Sequence, residues 1–132
     1  MLRRVISMSG QVATRQSRNM NYKVRNDGII TKAELEEVIQ TKRAGTDYRL
    51  IDVREPFEVE LGLIPTALSV PLKEFPNYVE MHGPELDDLD VIVYCKSGAR
   101  SHQAVQYLRK LGHSRAWNYR GSFLEWFPDR PY

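Results

Sequence analysis

The sequence predicts an α/β fold with a central, mainly parallel sheet and helices on both faces, and three observations carry that expectation. Val91, Ile92, Val93 and Tyr94 form a continuous apolar run with none of the alternation of a half-exposed strand, as expected for a strand covered on both sides. A short loop follows, then a helical pattern over about 101–111 with Ala104, Val105, Leu108 and Leu111 on one side, then the apolar strand Ala116, Trp117, Asn118, Tyr119. This is a βαβ unit, whose right-handed crossover makes its two strands parallel. The chain has 132 residues, 42% of them hydrophobic, enough for one packed core. Its longest apolar run, about four residues, falls far short of the roughly eighteen needed to cross a bilayer, so no membrane partner is expected.

The remaining elements follow in chain order. Residues 1–26 carry six basic residues and no acid, which leaves a net charge of −4 for the rest of a chain that totals +2. Basic residues confined to an arm with Tyr22 as its one aromatic do not make a nucleic-acid surface, and none is expected. An acid-free stretch with Arg3, Arg4, Arg15, Arg18 and several serines resembles a mitochondrial transit segment more than a secretory signal. Residues 1–24 are therefore set aside as a flexible basic arm and 25–132 assigned to one domain, with a mitochondrial location expected and a cytoplasmic one as the alternative.

Thr31 followed by Glu34 is a capping-box pattern, and Leu35, Val38 and Ile39 continue it with helical spacing. A helix over about 31–43 is expected, with Gly45 as its left-handed stop. Residues 48–53 read as a buried strand ending on Arg54 and Glu55, with a helical turn beginning at Pro56 and Phe57; Leu68, Ser69 and Val70 read as a short strand before Pro71. Between Lys73 and Asp90, Pro76, Gly83 and Pro84 interrupt the pattern, and the stretch reads as connection. Ser122 and Glu125 suggest a second capping box for a last short helix.

Cys95 is the lone cysteine, so no internal disulfide is possible. It stands at the end of the apolar strand, where ligands of open α/β sheets bind. The loop after it contains Gly98, which lets successive N–H groups curl inward, and leads into a helix N-terminus that favours an anion. Lys96 and Arg100 add positive charge. Thiols at helix N-termini or beside cations fall to pKa values of roughly 3.5–7.5, so the pattern describes an anion cradle around a nucleophilic thiolate. A free cysteine can equally be a small buried hydrophobe, but that role needs neither Gly98 nor two cations within five residues. His82, His102 and His113 show no metal-ligand spacing, and no metal or cofactor is assigned.

Cys95, Lys96, Ser97, Gly98, Ala99, Arg100 and Ser101, after the strand 91–94, resemble the active-site loop of single-domain rhodanese sulfurtransferases. Three further segments agree in order: Leu50 to Glu55, with Asp52 and Arg54 as the Asp-x-Arg strand end; Gly62, Ile64, Pro65 and Ala67; and Asn118 to Ser122 with Trp126. Leu63, Thr66 and Arg120 depart from the pattern, which has histidine, glycine and glycine there. The closing segment is similar to the small eukaryotic members that pass sulfur from thiosulfate to glutathione or a protein thiol.

The resemblance implies a monomeric rhodanese-like domain in which Cys95 attacks thiosulfate or another sulfane-sulfur donor, becomes a persulfide, and passes sulfur to cyanide, glutathione or thioredoxin. It implies Cys95 and Arg100 as catalytic residues, Lys96, Ser97, Gly98, Ala99 and Ser101 as the substrate-binding cradle, and Asp52 and Arg54 as loop supports. A persulfide carrier or docking module is the alternative from another class. Phosphatases and arsenate reductases resemble the site less, because their cysteine and arginine enclose five residues where Cys95 and Arg100 enclose four.

Overall fold

The structure is a computed structural model that describes residues 21–132. Its elements, in chain order, are α1 (Asn21–Arg25), β1 (Ile29–Ile30), α2 (Lys32–Thr41), β2 (Tyr48–Asp52), α3 (Pro56–Val59), β3 (Leu68–Ser69), a 3-10 turn (Leu72–Glu74), α4 (Phe75–Leu86), β4 (Asp90–Tyr94), α5 (Ala99–Lys110), β5 (Ala116–Tyr119) and α6 (Ser122–Trp126). The five strands form one sheet in the order β1-β5-β4-β2-β3, and every pairing is parallel. The α/β architecture expected from the sequence is thus the one observed.

Alternate residues of the central strands feed two cores. Ile51, Val91, Val93 and Ala116 pack with Phe75 and Val79 of α4 and Ala104, Val105 and Leu108 of α5. Leu50, Ile92, Tyr94 and Trp117 face the other way, against Tyr22 of α1 and Leu35 and Val38 of α2. All five residues of β4 are buried, which is why its sequence shows no polar alternation. Cys95, directly after β4, belongs to the α4/α5 side.

The Thr31 capping box forms as its sequence suggests: the Glu34 amide donates to the Thr31 hydroxyl at 3.2 Å and the Thr31 amide donates to the Glu34 carboxylate at 2.9 Å. The helix stops at Thr41, two residues short of the expected end. Gly45, at φ +84°, acts elsewhere, donating its amide to the Tyr48 carbonyl at 2.8 Å and turning the chain into β2.

Three expectations are corrected. The arm set aside as 1–24 extends too far, because α1 begins at Asn21 and docks. Tyr22 is 1% exposed and meets Trp117 edge-on with ring centroids 5.0 Å apart, Lys23 pairs with Asp90 at 2.9 Å, and Arg25 forks onto Glu34 at 2.8 and 2.9 Å. Residues 1–20 lie outside the described ones. The stretch read as connection holds α4, which survives Pro84 because its backbone leaves helical geometry at His82 (φ −117°, ψ 15°), the break that a proline two residues on requires. Ser122 does not cap α6; its backbone is left-handed at φ +59°, and its hydroxyl serves Cys95.

Tyr22→Ala removes a buried ring that joins α1 to the sheet. It is expected to lower unfolding free energy by about 3 kcal/mol, read from the urea midpoint; a loss under about 1 kcal/mol would mean that α1 is not part of the cooperative core.

Candidate functional site

The site lies at the carboxyl end of β4, where the chain leaves the sheet at Cys95 and re-enters helix at Ala99. Gly98 makes that short return possible. Its φ is +102°, and a Cβ there would lie 2.6 Å from the Arg120 carbonyl oxygen, so a side chain is excluded both by backbone conformation and by space. Asn118 of β5 donates its amide to the Gly98 carbonyl at 3.3 Å, and His102 does so from its backbone at 3.1 Å.

Cys95 itself is clamped from the other side. Its amide donates to the Ser122 hydroxyl at 3.1 Å, which in turn donates to the Tyr119 carbonyl at 2.9 Å. The Cys95 and Lys96 carbonyls accept from the Phe123 and Leu124 amides at 3.0 and 3.1 Å. The left-handed turn at Ser122 is what brings its hydroxyl and these amides together under the cysteine. Sequence reading assigned Ser122 to a cap because a serine three residues before a glutamate is the same string in either role.

The Cys95 side chain is almost wholly buried. Its Sγ accepts from the Gly98 amide at 3.1 Å and lies 3.4 Å from the Ser101 hydroxyl. Burial pushes the thiol up, but the Ser101 hydroxyl and the Ser101, Gly98 and Ser97 amides more than reverse this, so the thiol lies below its ordinary value. Gly98, Ser101 and the Ser97 backbone therefore converge on sulfur, while the Ser97 and Ala99 side chains point to solvent.

The two cations expected to assist the thiolate are engaged elsewhere. Arg100 forks onto the Glu58 carboxylate at 2.7 and 3.0 Å, and Lys96 Nζ lies 4.4 Å from the centroid of the Tyr132 ring. Neither donates a hydrogen bond to Sγ among the described residues. Glu58 also accepts from the Tyr132 hydroxyl at 2.7 Å and the Glu55 amide at 2.9 Å. The Arg100 fork, with the Tyr132 and Glu55 bonds, outweighs burial and holds the Glu58 carboxyl down at about 2. Glu58 and Tyr132 escaped sequence reading: the first looks like a helix-cap partner of Glu55, and the second meets Glu58 only through a contact 74 residues long in sequence.

Asp52 and Arg54 form a wholly buried pair. Arg54 Nε and Nη2 reach the Asp52 carboxylate at 2.8 to 3.1 Å, while its remaining donors take the Gly62 carbonyl at 2.6 Å, the Glu58 carbonyl at 3.0 Å and the Tyr132 hydroxyl at 3.2 Å. The pair thus reaches the Cys95 loop at second hand, by fixing the α3 segment that carries Glu58. Of the positions that depart from the expected pattern, Thr66 keeps the left-handed backbone of a glycine (φ +75°), and its hydroxyl bonds that of Tyr48 at 2.9 Å.

A cavity of about 720 Å³ between α4 and α5, lined in part by Tyr107, Leu111 and His113, contains no residue of the 95–101 loop, so chemistry rather than volume marks the site. Among the described residues, no three His, Cys, Asp or Glu side chains gather as a metal ion would require, and no helix is long and apolar enough to cross a membrane.

A buried thiol ringed by inward amides at the end of a central parallel strand is the arrangement that the sequence resemblance implies, and the rhodanese-like domain family matches residues 31–129. The chain belongs to the rhodanese-like domain family. A sulfurtransferase of Allochromatium vinosum is 37% identical over 98 residues, covering 74% of this chain and 89% of that protein. The human thiosulfate:glutathione sulfurtransferase is 33% identical, covering 74% and 90%. The structure of the human single-domain sulfurtransferase TSTD1 superposes with a TM-score of 0.63 at 30% identity, over 79% of this chain and 98% of that one. Sulfur transfer through a cysteine is the activity that these relationships assign, and Cys95 is the chain's one cysteine.

Ser101→Ala removes a donor to the thiolate, so the Cys95 pKa is expected to rise and the pH profile of iodoacetamide alkylation to move to higher pH; an unmoved profile would show that Ser101 does not stabilise the ionised sulfur. Asp52→Asn leaves the Arg54 charge buried without its counter-ion and is expected to cost about 3–5 kcal/mol of unfolding free energy in urea, far more than a surface substitution.

Proposed function

We propose that this protein is a thiosulfate sulfurtransferase, taking sulfane sulfur from thiosulfate or a similar donor onto Cys95 and giving it to a small or protein thiol. The observation that carries the reading is the donor set around Cys95 Sγ, the Gly98 amide at 3.1 Å and the Ser101 hydroxyl at 3.4 Å, on a thiol with no second cysteine to resolve it. The name of the human thiosulfate:glutathione relative supports both donor and acceptor.

In the first half-reaction the Cys95 thiolate attacks the outer sulfur of thiosulfate. An S–S bond to Cys95 forms, the bond from that sulfur to the sulfonate sulfur breaks with its electron pair, and sulfite leaves. The terminal sulfur of the persulfide keeps the negative charge that it carried in thiosulfate, while the charge that the thiolate brought leaves with sulfite. Inward amides from 96 to 101 are suited to hold it, since preorganised N–H donors stabilise developing charge without reorganising. In the second half-reaction a thiolate or cyanide takes the terminal sulfur, forming a new persulfide or thiocyanate and restoring the Cys95 thiolate.

Ser97, Gly98, Ala99 and Ser101 serve this reading chiefly through backbone donors, with the Ser101 hydroxyl added, and Lys96 lies at the rim of the loop. Arg100 holds the start of α5 to α3 through Glu58, and Asp52 and Arg54 support that contact from below. A mitochondrial site of action is supported by the acid-free basic stretch 1–26 and by a Schizosaccharomyces pombe protein, 32% identical over 96% of this chain, that is named as a mitochondrial thiosulfate sulfurtransferase. The protein acts as a monomer with a diffusible acceptor in this reading.

Intact-mass measurement after exposure to thiosulfate tests the proposal. One added sulfur atom is expected, removable by cyanide as thiocyanate, and absent in a folded Cys95→Ser variant. Sulfur uptake by that variant, or none by the unaltered protein, would overturn the assignment.

A further inference from the structure

Strand β5 sets out three polar stations at alternate positions along its length. At its start the Ala116 carbonyl accepts from Arg109 Nε and Nη2 at 3.2 and 2.9 Å. Asn118 follows two residues on, and Arg120 stands just past the strand's end. With His102 of α5 and the turn at Asp27 and Gly28 before β1, the side chains of Arg109, Asn118 and Arg120 line a cavity of about 380 Å³. None of residues 95–101 lines it, so this space is distinct from the cradle around the sulfur.

Asn118 is only 3% exposed. Its Nδ2 donates to the Gly98 carbonyl at 3.3 Å, which fixes the orientation of the amide and leaves Oδ1 as its polar atom for the cavity. That oxygen has no hydrogen-bond partner among the described residues, an unfavourable state for a buried acceptor. Arg120 is exposed, and its Cγ packs beside Gly98, 2.9 Å from where a Cβ would stand. Neither Arg120 nor Arg109 has a carboxylate partner among the described residues. Asp27, the acid in the lining, already accepts from the Ile29 amide at 3.0 Å and lies 3.4 Å from Arg25 Nε. The cavity therefore presents two guanidinium groups without counter-ions and a buried acceptor without a donor.

We propose that this cavity is a second ligand site, for a short hydroxylated dicarboxylate whose carboxylates pair with Arg109 and Arg120 and whose hydroxyl donates to Asn118 Oδ1. Guanidinium groups are suited to carboxylates through paired, charge-assisted hydrogen bonds, and the orphaned oxygen between them asks for an O–H rather than a third anion. A strand rises about 3.3 Å per residue, so Ala116 and Arg120 stand roughly 13 Å apart. A dicarboxylate of about four carbons, with a hydrogen bond of about 2.8 Å at each end, spans nearly that length. The occupant shares Asn118 with the Cys95 loop, holding the amide by its oxygen while the nitrogen holds Gly98. No bond is made or broken, and the inference does not depend on the chemistry at Cys95.

Malate and succinate separate the hydroxyl from the charge, since both are four-carbon dicarboxylates and only malate carries the O–H. Calorimetric titration of the full chain is expected to give a Kd for malate below about 1 mM. Succinate is expected to bind about tenfold more weakly, because it leaves the Asn118 oxygen unpaired. Arg120→Gln, a substitution at an exposed position that threatens no packing, is expected to weaken malate about fivefold to tenfold by removing a charge-assisted contact. In nitrogen-15 spectra malate should shift the side-chain amide pair of Asn118 and the backbone amide of Gly28, while the Lys96 and Ser97 amides stay in place.

Succinate binding as tightly as malate would reduce the site to a pair of cations and overturn the inference. So would malate binding unchanged in Arg120→Gln, or shifts centred on Lys96 and Ser97, which would place the anion in the Cys95 cradle instead. The absence of both heat and shifts at millimolar malate would leave the cavity to water and overturn it as well. Because each readout is binding rather than turnover, none of these outcomes bears on sulfur transfer through Cys95.

Discussion

The buried pair of Arg54 and Asp52 is the contact on which the site's geometry depends. Burying a guanidinium is costly unless every donor finds a partner, and Arg54 meets that requirement by taking the Asp52 carboxylate together with the Gly62 and Glu58 carbonyls and the Tyr132 hydroxyl. The chain between 54 and 62 must therefore wrap closely around one side chain. That wrapping places α3, and with it Glu58, beside the start of α5. The Arg100–Glu58 fork then ties the helix after Cys95 to the segment after β2. An ion pair at the end of one strand thus sets the position of a loop at the end of its neighbour.

The thiol obeys a different economy. Desolvation opposes its ionisation, and the opposing influence comes from neutral donors, with the Ser101 hydroxyl and the loop amides foremost. Fixed dipoles have an advantage over a mobile cation here. They follow charge that moves outward by one bond when sulfur is added, and they do not form an ion pair that the next step must break. The residues that hold the backbone in place, Ser122 under the Cys95 amide and Asn118 on the Gly98 carbonyl, keep those dipoles aimed.

How much of this could be read from the amino acids depends on how local each interaction is. The β4–loop–α5–β5 unit and the Thr31 cap are legible because their signals lie within a few residues: an apolar run, a glycine at the turn, a threonine three before a glutamate. β1, at Ile29 and Ile30, is not legible, since two residues cannot show a period. α4 was hidden by Pro84, which breaks helical backbone at His82 without ending the element. Gly98 beside Cys95 follows from the spacing of the loop, whereas Ser101 enters only through the family resemblance; the structure sets the Gly98 amide and the Ser101 hydroxyl against the sulfur. The engagement of Arg100 by Glu58 was invisible because the two are 42 residues apart, and nothing in either segment's pattern distinguishes a cation facing a ligand from one facing a carboxylate.

The strand order leaves β1 and β3 at the two margins of the sheet, and each is only two residues long. Edge strands are where sheets recruit other chains, because a row of unpaired amides and carbonyls is a template for a further strand. Here the long, apolar strand β4 is flanked on both sides by β2 and β5, and each exposed margin is too short to template a stable ladder. The arrangement protects against edge-to-edge aggregation without charged or proline guards along a long outer strand, so the hydrophobic segment that delivers the cysteine is also the one least accessible to another molecule's backbone.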